Sequence, residues 1–164
     1  MSFQNVIKMA NIAADDLSEL FPEDSKRIED NLINFSQEIK EIENGYLEKT
    51  LDLSSLSVIT LTENLDYLFN DLNIFFNYVD SNELTVEKIS EVMKRNNSKI
   101  FVSDRWIKKE IINEIEKKGG KFIVLDTFNI PRELNEKMDP DGYIKGMKEN
   151  MEKLVEAMKF MDKK

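Results

Sequence analysis

Residues 56–79 read LSVITLTENLDYLFNDLNIFFNYV: two continuous apolar runs separated by a segment of different rhythm. Leu56–Leu61 and Ile74–Val79 are too short for helices and too uniformly apolar for half-exposed strands, so each predicts a strand buried on both faces. Between them Leu65, Leu68 and Phe69 fall at helical spacing. Strand, helix, strand is the unit from which parallel sheets are built.

The same alternation continues toward the C-terminus. KIFVS at 99–103 and KFIVLD at 121–126 are further apolar runs. Thr85 is placed to cap a helix carrying Val86, Ile89 and Val92 or Met93, and Ile107, Ile111 and Ile115 mark another, ended by Gly119-Gly120. Asp139-Pro140 predicts a further helix start, and Ile144, Met147, Met151, Leu154, Met158 and Met161 follow in steps of three and four. Soft methionine side chains at that spacing read as a core or interface face. NIPRELNEKMDPDG at 129–142 is the long loop candidate. The predicted class is α/β, a four-stranded parallel sheet with helices on both faces.

The N-terminal third differs. Val6, Ala10, Ala13, Leu17 and Leu20 predict a first helix, and Pro22-Glu23-Asp24 restarts the chain after a break near Phe21. Ile28, Leu32, Phe35, Ile39, Ile42 and Tyr46 then alternate without a fault, which requires one helix of roughly seven turns. The repeat lasts only about three heptads, so it reads as a long helix lying across a core rather than a coiled coil.

Composition narrows the chemistry. The chain has 164 residues, suited to one domain, with 41% hydrophobic and 34% charged residues. Its 23 basic against 32 acidic residues leave a net charge of −9, which argues against nucleic acid as a partner. Without cysteine or histidine it has no thiolate, no imidazole ligand and no histidine base, so a metal held by its own side chains must be held by oxygen. No apolar run is long enough to span a membrane, and residues 1–4, Met-Ser-Phe-Gln, lack the basic start of a signal peptide. Helical periodicity begins at once, as expected of a segment cut from something longer. Neither a phosphate loop nor a nucleophile elbow occurs, so no enzyme is read here.

Parallel strands with right-handed crossovers end at one edge, where open α/β sheets bind ligands. Thr62 and Glu63 follow the first strand, Asp80 the second, Ser103 and Asp104 the third, and Asp126 ends the fourth. Hydroxyls and carboxylates together suit a hard cation such as manganese, magnesium or calcium. As single residues Ser103 and Asp104 read as caps. Asp126 does not, because irregular chain rather than a helix follows it.

Four segments in order, NVIKMANIAADDLSELFPEDSKRIEDNLINF, VITLTENLDYL, KIFVSDRWIKKEIINEIEKKGGKFIVLD and DPDGYIKGMKENMEKLVEAM, resemble the second half of the solute-binding proteins of zinc and manganese ABC importers. Those proteins have two α/β lobes joined by a long helix, with the metal between them. The resemblance implies that residues 1–21 are the end of a missing N-terminal lobe, 22–50 the connector and 51–164 the second lobe. It implies a zinc or manganese ion as cargo, an ABC permease as partner and an extracytoplasmic setting, periplasmic or at the cell surface. The family's second lobe supplies an aspartate after its fourth strand, here Asp126, and a histidine or glutamate after its first, a position occupied by Thr62 with Glu63 next to it. The family's first-lobe histidines would precede Met1. One carboxylate and a neutral hydroxyl bind metal weakly, so a metal-free interaction lobe is the alternative. The apolar stripes at 5–20 and 143–161, partly facing the first lobe in the family, imply exposed surface and a homo-oligomer of this chain.

Overall fold

A computed structural model describes residues 2–128 and 142–162. Helices α1 (Phe3–Leu20) and α2 (Ser25–Thr50) are joined by a 3₁₀ turn at Pro22–Asp24. Then come β1 (Ser57–Thr60), α3 (Asp66–Asp71), β2 (Phe75–Tyr78), α4 (Ile89–Asn96), β3 (Ile100–Ser103), α5 (Lys109–Lys117), β4 (Lys121–Val124) and α6 (Gly142–Asp162). The predicted four-stranded sheet is present, entirely parallel, in the order β2-β1-β3-β4. The predicted loop at 129–142 and the Asp139-Pro140 helix start lie, apart from Gly142, outside the described residues.

Each face of the sheet is covered by helices, as two separate apolar cores show. On one face, Ile39, Ile42 and Tyr46 of α2 and Met147, Met151, Leu154 and Met158 of α6 pack with Leu68, Phe69, Val58 and Val102. On the other, Ile89, Val92 and Met93 of α4 and Ile111 and Ile115 of α5 pack with Ile59, Phe101 and Phe122. Strands between two apolar layers need apolar side chains on both sides, which is why they appear in the sequence as unbroken runs.

The methionine stripe of α6 is therefore core. The exposed stripe expected at 143–161 is not there, because α2 and the sheet cover it; on α1, by contrast, Met9, Ile12, Leu17 and Leu20 face solvent. The opposite face of α1 is firmly docked. Phe3 is completely buried, and Asp71 at the end of α3 accepts from the Phe3 backbone N–H at 2.7 Å and from the Ser2 hydroxyl at 2.7 Å. A carboxylate from a distant helix thus serves the orphan donors at the α1 N-terminus, assisted by Ser2 Oγ, which accepts from Asn5 N–H.

Two turns fix strand entry. Asn97 ends α4 in the left-handed conformation, at φ 45°, and Gly119 does the same after α5, at φ 75°. Gly120 then enters β4 with the Lys99 carbonyl oxygen only 2.7 Å from where a Cβ would sit, an approach no side chain permits.

Candidate functional site

The C-terminal ends of the four strands carry the polar residues anticipated there. Thr60 closes β1 with a tight turn, its hydroxyl donating to the Thr62 carbonyl at 2.7 Å and accepting from the Thr62 N–H at 3.3 Å. That turn buries Thr62 and leaves Glu63 exposed. The Thr62 hydroxyl accepts from the Asn64 N–H at 3.2 Å and donates to Asp104 Oδ2 at 3.1 Å.

Asp104 is the centre of this cluster. Its Oδ2 also accepts from Asn64 Nδ2 at 2.7 Å and Arg105 Nη2 at 3.3 Å, and its Oδ1 from Arg105 Nε at 2.9 Å. The guanidinium beside it, with help from Asn64 and Thr62, holds its carboxyl below the usual carboxylate range despite the opposing effect of burial. Asp104 is not the helix cap that its position suggested, since α5 starts only at Lys109. It ties the end of β1 to the end of β3. Ser103 does act locally, accepting from the Arg105 N–H at 3.3 Å. Asp80 likewise turns its own loop, accepting from the Asn82 backbone N–H at 2.8 Å and side-chain amide at 3.1 Å.

Asp126 stands apart from that cluster. Its side chain is exposed, with Oδ1 accepting from the Phe128 N–H at 2.7 Å. Its backbone is gripped by Asn150 of α6: Asn150 Oδ1 accepts from the Asp126 N–H at 2.9 Å, and Asn150 Nδ2 donates to the Asp126 carbonyl at 2.8 Å. Asn150 is fully buried, so one side-chain amide satisfies the backbone two residues past the end of β4. Sequence reasoning missed Asn150; its signal was a polar residue on the inward face of the methionine stripe, one position before Met151. Asp104 was passed over because aspartate before a helix reads by default as a cap.

The structure brings Thr62, Asn64, Asp104 and Arg105 together and leaves Glu63 and Asp126 on opposite sides. Glu63 lies toward β2, where its charge helps raise the pKa of Tyr78, after burial and Asp80, and that of Asp66, after burial. Asp126 follows β4, at the far edge. Among the described residues no group of three or more His, Cys, Asp or Glu is placed to hold a metal ion.

Similarity to known proteins follows the fold. Solved structures with this architecture include a mutant of FpvC from Pseudomonas aeruginosa, 17% identical over 96% of this chain and 60% of its own, with a TM-score of 0.78. The Zn(II)-bound ZnuA-like domain of Streptococcus pneumoniae AdcA is 19% identical, covering 96% of this chain and 61% of its own at a TM-score of 0.71. The laminin-binding protein Lbp of Streptococcus pyogenes is 20% identical, covering 88% and 58% at 0.64. The chain thus spans about three-fifths of the length of these structures. No curated protein sequence matches it. The sequence model for ZnuA, described as zinc-uptake complex component A, periplasmic, matches residues 1–157, and the chain belongs to that family of metal-importer solute-binding proteins.

Proposed function

We propose that this chain works as the connector and second lobe of a metal-ion ABC importer's solute-binding component, with residues 22–50 as the connector and 51–164 as the lobe. Its cargo is a divalent ion, zinc or manganese, handed to a membrane permease outside the cytoplasm. Asp126 is the cargo ligand, and a first lobe supplies the ligands this chain lacks. The observation that supports this reading is the Asn150 grip: a fully buried amide is committed to fixing the backbone of one exposed aspartate at the ligand-binding edge of the sheet. Such backing is what a preorganised ligand needs. Thr62 contributes little, because its hydroxyl proton is already given to Asp104, and Glu63 joins the ion only if it swings across the edge.

A second reading, a lobe that works without metal, has its own support. Asp104, which sits between the ends of β1 and β4, is already neutralised by Arg105 and saturated with donors. Melting curves after chelation, with and without zinc or manganese, separate the two. An ion held at about 0.1 mM and supplied at 1 mM adds about 1.4 kcal/mol, a midpoint rise of roughly 3–5 °C. The cargo reading expects that rise with one ion and its loss in Asp126→Ala. A rise that survives in Asp126→Ala overturns it, and no rise with either ion favours the metal-free lobe.

A further inference from the structure

The two outer edges of the sheet are treated differently. At β4 the edge is blunted: Lys121 lies in the strand with its ammonium 5.8 Å from the Phe160 ring, and Lys153 Nζ donates to the Val124 carbonyl at 3.2 Å. Such lysines are the usual guard against strand addition. Among the described residues, β2 carries no such lysine. Residues 72–79, LNIFFNYV, contain no charge and no proline, yet Phe75 is 67% exposed and Tyr78 50% exposed.

Hydrogen bonding fixes which backbone groups face outward. The Phe75 N–H donates to the Leu56 carbonyl and the Val79 N–H to the Thr60 carbonyl. In a parallel ladder alternate residues bond to one neighbour, so Phe75, Asn77 and Val79 are spent on β1, and the N–H and C=O groups of Phe76 and Tyr78 point away from the sheet. The side chains alternate too. Phe76 packs toward the α2–α6 core and Val79 toward the α4–α5 core.

We propose that the β2 edge is a homodimer interface, at which two copies pair β2 antiparallel about a twofold axis through Asn77 and join their sheets into one. The register follows from the outward groups. Phe76 exchanges hydrogen bonds with the partner's Tyr78, Asn77 faces the partner's Asn77, and Phe75 faces the partner's Val79. Each exposed ring then gains an apolar neighbour on its own side of the sheet: Tyr78 meets the partner's Phe76, and Phe75 meets the partner's Val79. Aromatic–aromatic and aromatic–β-branched pairs are the favourable cross-strand combinations. Asp80, the nearest acid, falls opposite the partner's Ile74 rather than another carboxylate. In a chain of net charge −9, an uncharged self-complementary strand is where a second copy approaches at least electrostatic cost. This pairing is independent of any cargo.

The test uses the full chain, which contains no cysteine. Sedimentation over about 1–500 µM is expected to show a monomer–dimer equilibrium, with Phe75→Lys raising the dissociation constant at least ~100-fold while leaving the far-ultraviolet circular dichroism unchanged. Under mild oxidation Asn77→Cys is expected to form a covalent dimer, because facing residues of a non-hydrogen-bonded pair have Cα atoms about 4.5 Å apart, within disulfide range. Phe75→Cys is the control, its two copies lying about 13 Å apart in this register. A monomer throughout overturns the proposal. So does a dimer that Phe75→Lys leaves intact, or one in which Asn77→Cys links no faster than Phe75→Cys.

Discussion

Replacing Asn150 with leucine tests whether the end of β4 is built or merely adjacent to α6. Leucine has the same number of side-chain heavy atoms with bulkier ends, so no cavity opens among Met147, Met151 and Leu154. What is lost is the pair of hydrogen bonds to the Asp126 N–H and carbonyl, at 2.9 and 2.8 Å. Each is worth about 1 kcal/mol net, and a group left without a partner costs up to about 3. Because Asp126 itself is exposed, water recovers part of that, and burying leucine in place of an amide recovers about 1 more. The expected loss is about 1–3 kcal/mol in urea unfolding, or roughly 3–9 °C in melting midpoint for a chain of this size. Amide exchange localises it: the Asp126 N–H should lose at least about tenfold protection while that of Phe101 in β3 keeps its own. Asn150→Asp separates the two bonds, since it retains the acceptor for the Asp126 N–H but buries a carboxylate, and it should be less damaging at pH 4 than at pH 7. A loss below about 0.5 kcal/mol in Asn150→Leu, with Asp126 exchange unchanged, would refute the claim that Asn150 positions the aspartate.

Three other outcomes follow from the same contacts. Asp104 has its folded-state pKa lowered by Arg105 first and then by Asn64 and Thr62; its stabilisation is therefore full above the unfolded value near pH 4 and lost as pH falls through the folded one, so Asp104→Asn should flatten the acid limb of a stability–pH curve. Asp71→Ala removes the acceptor of the Phe3 N–H and Ser2 hydroxyl and should cost about 1–2 kcal/mol, with faster amide exchange confined to the first turns of α1. Gly120→Ala drives a Cβ to 2.7 Å from the Lys99 carbonyl and 2.6 Å from Met93 Cε and should cost about 1–3 kcal/mol in chemical denaturation; an unchanged midpoint would show that the β3–β4 entry relaxes freely.

The fold was legible because burial on both faces of a parallel sheet writes itself into the sequence as apolar runs, and because helix periodicity survives wherever one face is packed. Strand limits came out within about two residues, and α2 at Ser25–Thr50 matches the seven-turn expectation. The site was legible only as a set of strand ends. What joins those ends, Thr62 and Asn64 to Asp104 across 40 or more positions and Asp126 to Asn150, is set by strand order and by the rotation of α6. Neither is encoded locally. The clamp of Asp71 on the start of α1 was invisible for the same reason.

These cross-links also explain why the end of β1 differs in character from the end of β4. The threonine at position 62 has a structural part: its hydroxyl completes the donor set around a carboxylate that Arg105 has already neutralised, so Thr62, Asn64, Asp104 and Arg105 form a closed network that itself offers an ion no free charge. On the β4 side the opposite holds, because Asn150 satisfies the backbone and leaves the Asp126 carboxylate facing solvent with, among the described residues, one backbone donor on Oδ1. A histidine or glutamate placed at 62 would remove one of the donors that Asp104 accepts from and offer a second ligand. Thr62→Glu should therefore strengthen zinc binding only when Asp104 and Arg105 are also neutralised by Asp104→Asn and Arg105→Gln, and titration calorimetry on the single and combined variants reads that coupling directly. Full binding in Thr62→Glu alone would show that the closed network does not restrain the position.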